Sequence, residues 1–334
     1  MAELPDDLAR MVRAWQESRV LLTAIELDVF TALGGAGGEG GGAGATAAVV
    51  AKRCGTDPRA TAVLLNALVA LGVVESEDGR YRNGPAAARF LAAGSPDDAR
   101  IALRHNLSLW ETWSTLTDVV RRGHAVPRLP RDRDDDWTVP FIAAMHRNAS
   151  ARAPMVVEAV GAASVKRMLD VGGGSAIYSI AFAKANPKLE AVVLDLPTVL
   201  PIAESHIGEA GLEKRVTTRA GDLTRDDLGE GYDLVLISAV CHMLGPEANR
   251  GLLARAARAL VPGGRLVVQD FILEPDRTAP RHAALFAINM LVGTEAGSTY
   301  TEAEYTGWMA TAGLADVRRV RLAGPADLMI GRNG

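Results

Sequence analysis

The sequence is poor in cysteine and in aromatic residues, and it has no long apolar run. Its two cysteines, Cys54 and Cys241, lie far apart and provide neither a disulfide framework nor a cysteine metal site, which favours a reducing compartment. The longest apolar stretch, AALFAINMLVG, is too short to span a bilayer, and the acidic start MAELPDDLAR lacks the order of a signal peptide. We therefore expect a cytoplasmic protein with no membrane partner.

An excess of positive charge is also absent. The 36 lysines and arginines stand against 40 acidic residues, for a formal net charge of -4, so the chain shows no general phosphate-binding surface. Nucleic acid is not favoured as a partner. By contrast, 334 residues of which 48% are hydrophobic are enough for a buried interior in two domains, or in one elaborated domain.

Residues 1–105 predict a mostly helical domain. Apolar residues recur at helical spacing from Met11 to about Leu33, and the glycine-rich run at 34–45 predicts a flexible loop. Two more helical patterns follow, and VVESEDGRYR then predicts a hairpin that turns at Asp78-Gly79. Helix, helix and hairpin in that order are typical of a winged helix.

A winged helix raises the question of DNA binding, but its charge argues otherwise. Residues 1–105 contain 11 basic and 13 acidic residues, a poor balance for gripping phosphates. Its broad apolar helices favour association with another protein instead, and we expect a homodimer formed through this domain.

The rest of the chain, 106–334, predicts an α/β domain. Residues 106–160 show helical patterns interrupted by VPRLPRDRDDDW, whose prolines and charges indicate a surface excursion. After Lys166, short β-rich runs alternate with helical patterns, which predicts a mainly parallel sheet with helices on both faces. Ligands of such sheets bind at the carboxyl ends of the strands. The strand candidates are RMLDVG, EAVVLDL, RVTTRAGD, YDLVLISAV, RLVVQDFIL, VRRVRL and DLMIG.

The stretch MLDVGGGSAIYSIAFAKA reads as a strand, a glycine turn and a helix, which allows a ligand to lie against the backbone. Asp195 ends the next strand 21 residues after Gly174, the distance at which an acid commonly binds ribose hydroxyls. A dinucleotide is disfavoured, because Ile177 occupies the third position of G-x-G-x-x-G and Asp170 would repel phosphates. Acids at three successive strand ends, the third being Asp222, suit S-adenosylmethionine, which is cationic and carries no phosphate.

On these residues the chain resembles the plant-type small-molecule O-methyltransferases and their bacterial relatives. The resemblance spans nearly the whole chain and is strongest in LDVGGGSAIYSIAFAKANPKLEAVVLDLPTVL, AGDL, HML with LVPGGRLVVQDFIL, and YTEAEYTGWMATAGL. It implies a winged-helix dimerisation domain joined to a Rossmann-like methyltransferase domain with a seven-stranded sheet. It also implies that Gly172 and Gly174 line the methionine and ribose part of the cofactor, Asp195 its ribose hydroxyls, and Asp222 with Leu223 its adenine. The other residues expected in the cofactor site are Asp170, Leu196 and Ser238.

His242 follows the strand YDLVLISAV, at the position where the family has its general base. A phenol with a pKa near 10 is mostly neutral at pH 7, and an imidazole can accept its proton as the methyl bond forms. Asp270, at the end of the next strand, stands where the family has a glutamate, and we expect it to orient His242.

The chain departs from the family in two places near this base. It reads His242-Met243-Leu244 where the family often has H-D-W, and Thr299 stands opposite the second carboxylate of plant members. Three residues remain open as substitutes for that carboxylate: Glu295, Asn289 and Tyr300.

The acceptor pocket is expected to involve the helical segment 106–160 and the segment after the fifth strand. Aromatic and sulfur-bearing walls would suit a flat apolar acceptor, and the spacing of the histidines does not form a metal triad. The pocket candidates are His105, Trp110, Met145, His146, Asn289 and Met290.

Two hypotheses follow. The first is a methyltransferase that uses S-adenosylmethionine to methylate a hydroxyl of a small, aromatic metabolite, with transfer to nitrogen, sulfur or carbon, or other chemistry of the same sulfonium, as the alternative. The second is a winged-helix regulator that senses S-adenosylmethionine without catalysis. It would bind duplex DNA in a salt-sensitive way and would not depend on His242.

Overall fold

The computed structural model describes residues 3–34, 44–126 and 135–334. The chain divides into two compact units, Met1–Ser108 and Leu109–Gly334. Most of the predicted glycine loop at 34–45 and of the predicted surface excursion at 126–137 lies outside the described residues.

The first unit is helical with one small hairpin. Its elements are α1 (Asp6–Arg13), α2 (Trp15–Glu26), α3 (Val29–Gly34), α4 (Ala47–Cys54), α5 (Pro58–Ala70), β1 (Val74–Glu77), β2 (Arg80–Asn83) and α6 (Pro85–Phe90). The boundary between the units falls within α7 (Arg100–Trp113).

The helical pattern from Met11 to Leu33 is interrupted in the structure. One helix ends at Arg13, and a second ends at Glu26, just before Asp28 adopts a left-handed φ of 56°. Arg100 donates to the Asp28 carboxylate at 2.5 Å, and this bond fixes the turn between α2 and α3. The spacing of apolar residues does not report such breaks, because the buried side continues across them.

The predicted hairpin is confirmed. Strands β1 and β2 pair in antiparallel register from Val74 with Asn83 to Glu77 with Arg80. Asp78 and Gly79 both have positive φ, 47° and 72°, as a tight hairpin turn requires. Together with α4 and α5 before it, the hairpin completes the helix, helix and hairpin order predicted from the sequence.

The second unit begins with helices and continues as an alternating α/β structure. Its further helices are α8 (Leu116–Arg122), α9 (Asp135–Ser150), α10 (Ala153–Val160), α11 (Ile177–Ala185), α12 (Leu200–Glu209), α13 (Pro246–Ala259), α14 (Arg281–Gly293) and α15 (Glu302–Thr311). Its strands are β3 (Arg167–Val171), β4 (Glu190–Asp195), β5 (Val216–Ala220), β6 (Tyr232–Ser238), β7 (Leu260–Asp270), β8 (Ile272–Leu273), β9 (Tyr300–Thr301), β10 (Leu314–Val320) and β11 (Asp327–Asn333).

Seven of these strands form one sheet in the order β10-β11-β7-β6-β3-β4-β5. Strands β3 to β7 run parallel, and β11 is antiparallel to both of its neighbours. The central strands are almost entirely buried and cores lie on both faces of the sheet, which explains their continuous apolar sequence. The predicted seven-stranded, mainly parallel sheet is therefore confirmed.

Two local features position the residues considered below. A short 3-10 turn, Cys241–Met243, follows β6, and the small parallel pair β8 with β9 brings the start of α15 beside the end of β7. Thr301 and Glu304 form the capping box of α15 that their spacing indicates. No helix in the described part of the chain is long and apolar enough to cross a bilayer.

Candidate active site

The glycine turn after β3 is closely packed on its inner side. Gly172 has φ of 68°, and a Cβ at this position would lie 2.8 Å from Cγ2 of Val240 and 3.2 Å from Cδ2 of Leu223. A Cβ at Gly174, with φ of 56°, would meet only Ile142 at 3.8 Å. Gly172 therefore brings the turn against the loops that follow β5 and β6, and the backbone around Gly174 is more open.

Asp170 lies beneath this turn and has an exposed fraction of 0%. Ser179 donates to its Oδ2 at 2.8 Å, whereas the buried Oδ1 has no hydrogen-bond partner among the described residues. Burial raises the pKa of this carboxyl group to about 6. The sequence predicts a fixed negative charge at Asp170, whereas burial makes this carboxyl group easier to protonate than that of a free aspartate.

Asp195 joins the turn to the end of β4. Its Oδ2 accepts the backbone N–H of Gly174 at 2.8 Å, and its Oδ1 accepts that of Leu196 at 2.7 Å. Burial raises the pKa of Asp195, and these two hydrogen bonds lower it in part. The side chain of Leu196 is about half exposed beside it. The structure thus fixes this carboxylate at the carboxyl end of β4, next to Gly174.

The loop after β5 is held by its own side chains and by α13. Asp222 accepts from the backbone N–H and the hydroxyl of Thr224, and these bonds lower the pKa of Asp222. The guanidinium of Arg255 donates to the carbonyl of Leu223. Sequence reasoning missed Arg255, because nothing in the pattern of a surface helix links it to a loop 32 residues away.

Ser238, at the end of β6, lies within a buried polar group. Its hydroxyl donates to Oε1 of Gln269 at 2.6 Å, and the Nε2 of Gln269 is buried without a partner in the described structure. Tyr178 interacts with both residues. Ser238 is thus at the predicted edge of the sheet, and its hydroxyl is engaged with the neighbouring strand.

His242 and Asp270 are in direct contact. The Nδ1 of His242 lies 2.7 Å from Oδ1 of Asp270, and the backbone N–H of His242 donates to Oδ2 at 3.0 Å. Both are nearly buried, with exposed fractions of 6% and 1%. In the tautomer in which Nδ1 donates to this carboxylate, Nε2 is the ring nitrogen that keeps a lone pair.

Two phenylalanines lie beside the imidazole. The ring of Phe286 is perpendicular to that of His242, with centroids 4.8 Å apart, and Phe271 lies 5.9 Å away. Phe271 and Phe286 also contact each other, with centroids 4.2 Å apart. The histidine is therefore set among aromatic side chains that come from the end of β7 and from α14.

The three candidate substitutes for the second carboxylate differ clearly in the structure. Glu295 is exposed, and the Tyr300 hydroxyl donates to the carbonyl of Leu244. Thr299 is fully buried and donates to the carbonyl of Ala283 at 3.2 Å. Asn289, on α14, accepts the indole N–H of Trp113 on its Oδ1 at 2.9 Å. Of the three candidates, Asn289 is the one that lies on α14, the helix that also carries Phe286, and its side chain has a polar contact there with Trp113.

The remaining pocket candidates are dispersed. His146 contacts Ser175 at 2.8 Å through its Nδ1 and stacks on His206 at 4.2 Å, so it lies over the glycine turn. Burial lowers the pKa of His146. Met290 is buried, Met145 and Trp110 are half-buried, and His105 belongs to the first unit. Sequence reasoning selected Trp110, whereas Trp113, one helical turn later, makes the contact with Asn289.

The chemistry of this edge of the sheet fits S-adenosylmethionine. The glycine turn leaves its backbone open at Gly174, and two acids lie at this end of the sheet, the buried Asp170 in β3 and the partly buried Asp195 at the end of β4. Oδ1 of Asp170 lacks a partner among the described residues. In their ionised form these carboxyl groups attract a cation and repel a phosphate. Across the described ranges, no three His, Cys, Asp or Glu side chains are grouped closely enough to hold a metal ion.

The fold and this site define an α/β methyltransferase, and comparison with known proteins agrees. Residues 113–315 match the O-methyltransferase domain model, and residues 10–93 match the O-methyltransferase dimerisation domain model. The chain belongs to this O-methyltransferase family.

Individual relatives cover nearly the whole chain. It is 35% identical to 3-hydroxy-5-methyl-1-naphthoate 3-O-methyltransferase of Streptomyces sahachiroi, over 96% of this chain and 92% of that protein. It is 29% identical to L-tyrosine C(3)-methyltransferase of Streptomyces lavendulae, over 88% and 82%. The structure of human N-acetylserotonin methyltransferase in complex with SAM aligns with a TM-score of 0.85 and 27% identity, covering all of both chains.

The comparisons confirm the enzyme class and the cofactor. The protein is an S-adenosylmethionine-dependent methyltransferase of the O-methyltransferase family, and the hypothesis of a non-catalytic regulator is set aside.

Proposed function

We propose that the enzyme transfers a methyl group to a hydroxyl of a small aromatic metabolite and that His242 is its general base. The single observation that carries the proposal is the 2.7 Å contact between Nδ1 of His242 and Asp270. This contact selects the tautomer in which Nε2 is free to accept a proton, and the negative carboxylate stabilises the imidazolium that forms.

The cofactor is proposed to bind along the carboxyl ends of β3, β4 and β5. Gly172 and Gly174 would let it approach the backbone, Asp195 would accept from the ribose hydroxyls, and Leu196 would cover it. Asp222 and Leu223 would flank the adenine, with Asp170 and Ser238 beside the methionine part. S-adenosylmethionine supplies an already activated methyl group, so the protein has to orient the acceptor and remove its proton.

Asp270 is proposed to orient His242 and to balance its charge during the reaction. It accepts both the ring N–H and the backbone N–H of His242, so it holds the residue through its side chain and its backbone. Exclusion of water by Phe271 and Phe286 strengthens the electrostatic interaction of the pair. A general base of this kind is typically worth about 10² to 10⁴ in rate.

The acceptor is proposed to be flat and apolar with one reactive hydroxyl. Aromatic surfaces for this molecule are offered by Phe271, Phe286 and Trp113. The Oδ1 of Asn289 accepts from Trp113, which leaves the amide N–H groups of Asn289 to donate to an oxygen of the methyl-accepting molecule. The naphthoate named for one relative has this chemistry. Trp110, Met145, His146 and Met290 stay as further candidates for acceptor contacts.

Transfer to carbon is a second candidate, because one relative is named as a tyrosine C(3)-methyltransferase. Removing the phenolic proton also activates the adjacent ring carbons, so the same histidine serves either outcome. Proton NMR of the methyl group in the product distinguishes an aryl ether from a ring methyl.

The test is His242→Gln, with His124→Gln as the matched control at an exposed position two residues after the end of α8. With hydroxynaphthoates and related phenols as acceptor probes, we expect kcat of His242→Gln to fall about 10² to 10⁴-fold. Binding of S-adenosylhomocysteine, measured by calorimetry, should stay at the wild-type level in both variants. Wild-type turnover by His242→Gln would refute the base assignment.

A further inference from the structure

We propose that Tyr305 is a positioning residue for the His242 and Asp270 pair, acting through the carboxylate rather than on the acceptor. This inference rests on the proposed function of His242. The phenol of Tyr305 donates to Oδ2 of Asp270 at 3.1 Å, and Tyr305 is fully buried with an exposed fraction of 0%.

Asp270 accepts four hydrogen bonds within the described structure. Its Oδ1 takes the Nδ1–H of His242 and the backbone N–H of Phe271, and its Oδ2 takes the backbone N–H of His242 and the hydroxyl of Tyr305. Three of these donors are the ring and backbone N–H groups of His242 and the backbone N–H of Phe271. The fourth, Tyr305, is the one that a substitution can remove without touching His242 or Asp270.

The hydroxyl of Tyr305 is placed by the start of α15. The capping box of Thr301 and Glu304 fixes the first turn of the helix, and the ring of Tyr305 packs edge to face with Tyr300 and Trp308, at 6.1 and 5.4 Å between centroids. Because a buried phenol needs a partner, Tyr305 and Asp270 satisfy each other. The placement of α15 therefore determines where the hydroxyl of Tyr305 meets the Asp270 carboxylate.

Two physical effects follow from this contact. With both oxygens held by donors, the short aspartate side chain cannot rotate away from the imidazole. In addition, the Tyr305 hydrogen bond draws negative charge toward Oδ2, so the carboxylate stabilises a protonated His242 less than it would alone. Tyr305 thus sets both the orientation and the basicity of His242.

Other titratable groups surround the pair and must be separated from this effect. Cys241 precedes His242 in the 3-10 turn, Tyr300 lies at the start of α15, and His282 of α14 lies 6.3 Å from the ring of Phe271. Burial, together with the Asp270 carboxylate, raises the pKa of both Cys241 and Tyr305, so these two groups stay protonated near neutral pH.

The test replaces Tyr305 by Phe and measures His242 itself. In full-length protein with ¹⁵N-labelled histidine, the signal of His242 is assigned by its loss in His242→Gln and is titrated by two-bond ¹H–¹⁵N NMR. We expect the pKa of His242 to rise by roughly half a unit to one unit in Tyr305→Phe. Tyr300→Phe, which removes a phenol from the same aromatic cluster but not from Asp270, should leave it unchanged.

The outcomes separate this inference from the proposed function. An unchanged or lowered pKa of His242 in Tyr305→Phe, or an equal shift in Tyr300→Phe, overturns the role of Tyr305. Should Tyr305→Phe not fold, incorporation of 3-fluorotyrosine makes the phenol a stronger donor and should lower the pKa of His242; no change then also overturns it. Turnover of His242→Gln tests the base separately, since the NMR titration needs no acceptor.

Discussion

At the residue scale, Asp170 and Asp270 are two buried carboxyl groups with different surroundings. Asp270 accepts four hydrogen bonds, including one from an imidazole that can become cationic. Asp170 accepts from one side chain, Ser179, while its Oδ1 lacks a partner among the described residues. Burial without compensating donors disfavours the charged form, and the pKa of Asp170 rises to about 6. Two acids that look alike in the sequence therefore have different chemistry.

This difference predicts a pH-dependent stability. Since the folded protein binds the Asp170 proton more tightly than the unfolded chain does, the contribution of Asp170 is most favourable below pH 4 and is lost as pH rises through about 6. The free energy of unfolding of wild type relative to Asp170→Asn should therefore fall by roughly 2 kcal/mol from pH 4 to pH 7. Urea denaturation across this range measures it.

Asp118→Asn, an exposed substitution on α8, is the matched control and should show no such trend. A stability difference between wild type and Asp170→Asn that is constant from pH 4 to pH 7 would contradict the raised pKa. Saturation with S-adenosylmethionine should shift the transition to lower pH, because a nearby cation favours the carboxylate.

At the element scale, the loop after α14 holds the backbone of His242 in place. The hydroxyl of Thr294 accepts the backbone N–H of Gly297 at 2.8 Å, and the backbone N–H of Ser298 donates to the carbonyl of His242 at 2.9 Å. A Cβ at Gly297 would lie 2.4 Å from that carbonyl oxygen. The same helix carries Phe286 and Asn289, so α14 and its loop contact His242 through both backbone and ring.

Gly297→Ala is expected to displace the backbone of His242. A backbone oxygen at 2.4 Å cannot yield as a flexible side chain does, so we expect a loss of stability of about 1–3 kcal/mol and a larger proportional loss of kcat than of cofactor affinity. Thermal melting, steady-state kinetics and calorimetry with S-adenosylhomocysteine measure the three quantities.

Gly293→Ala provides the comparison, because a Cβ at this last residue of α14 meets no atom within 4 Å. It should be neutral or slightly stabilising, by up to about 1 kcal/mol. If both glycine variants behave alike, the support of His242 by the Gly297 loop is wrong.

At the scale of the whole molecule, the first unit matches a dimerisation domain and exposes apolar side chains on its opening helix. Leu8, Met11 and Val12 of α1 have exposed fractions of 46, 58 and 66%. Apolar side chains clustered on one short helix favour burial against a partner. We therefore propose that a second copy of this chain covers α1 in a homodimer.

A dimer of 35.2 kDa chains should be observed by sedimentation or light scattering at micromolar concentration. The double substitution Leu8→Glu and Val12→Glu should shift the mass to the monomer, because it would bury two charges in the interface. Val63→Glu, at an exposed apolar position of α5, should leave the dimer intact. A double variant that stays dimeric at the wild-type dissociation constant would exclude α1 from the interface.

Much of the fold and part of the site could be predicted from the sequence. Alternating β-rich and helical patterns gave the parallel sheet, and the glycine turn, Asp195 and the capping box of Thr301 with Glu304 were found where their spacing indicated. The pair of His242 and Asp270 was also predicted, because the ends of adjacent parallel strands lie side by side. These features depend on local periodicity or on a general rule of sheet topology.

What the sequence by itself determined is thus the order of elements and the edge of the sheet where the chemistry lies. Only the tertiary structure decided which side chains from distant parts of the chain make hydrogen bonds at that edge. Tyr305 donates to Asp270, 35 residues away, and Trp113 donates to Asn289, 176 residues away. Arg255 donates to the carbonyl of Leu223. It also decided that Asp170 is buried with a raised pKa. Such contacts and burial arise from how helices pack onto the sheet, and that packing leaves no periodic trace in the chain.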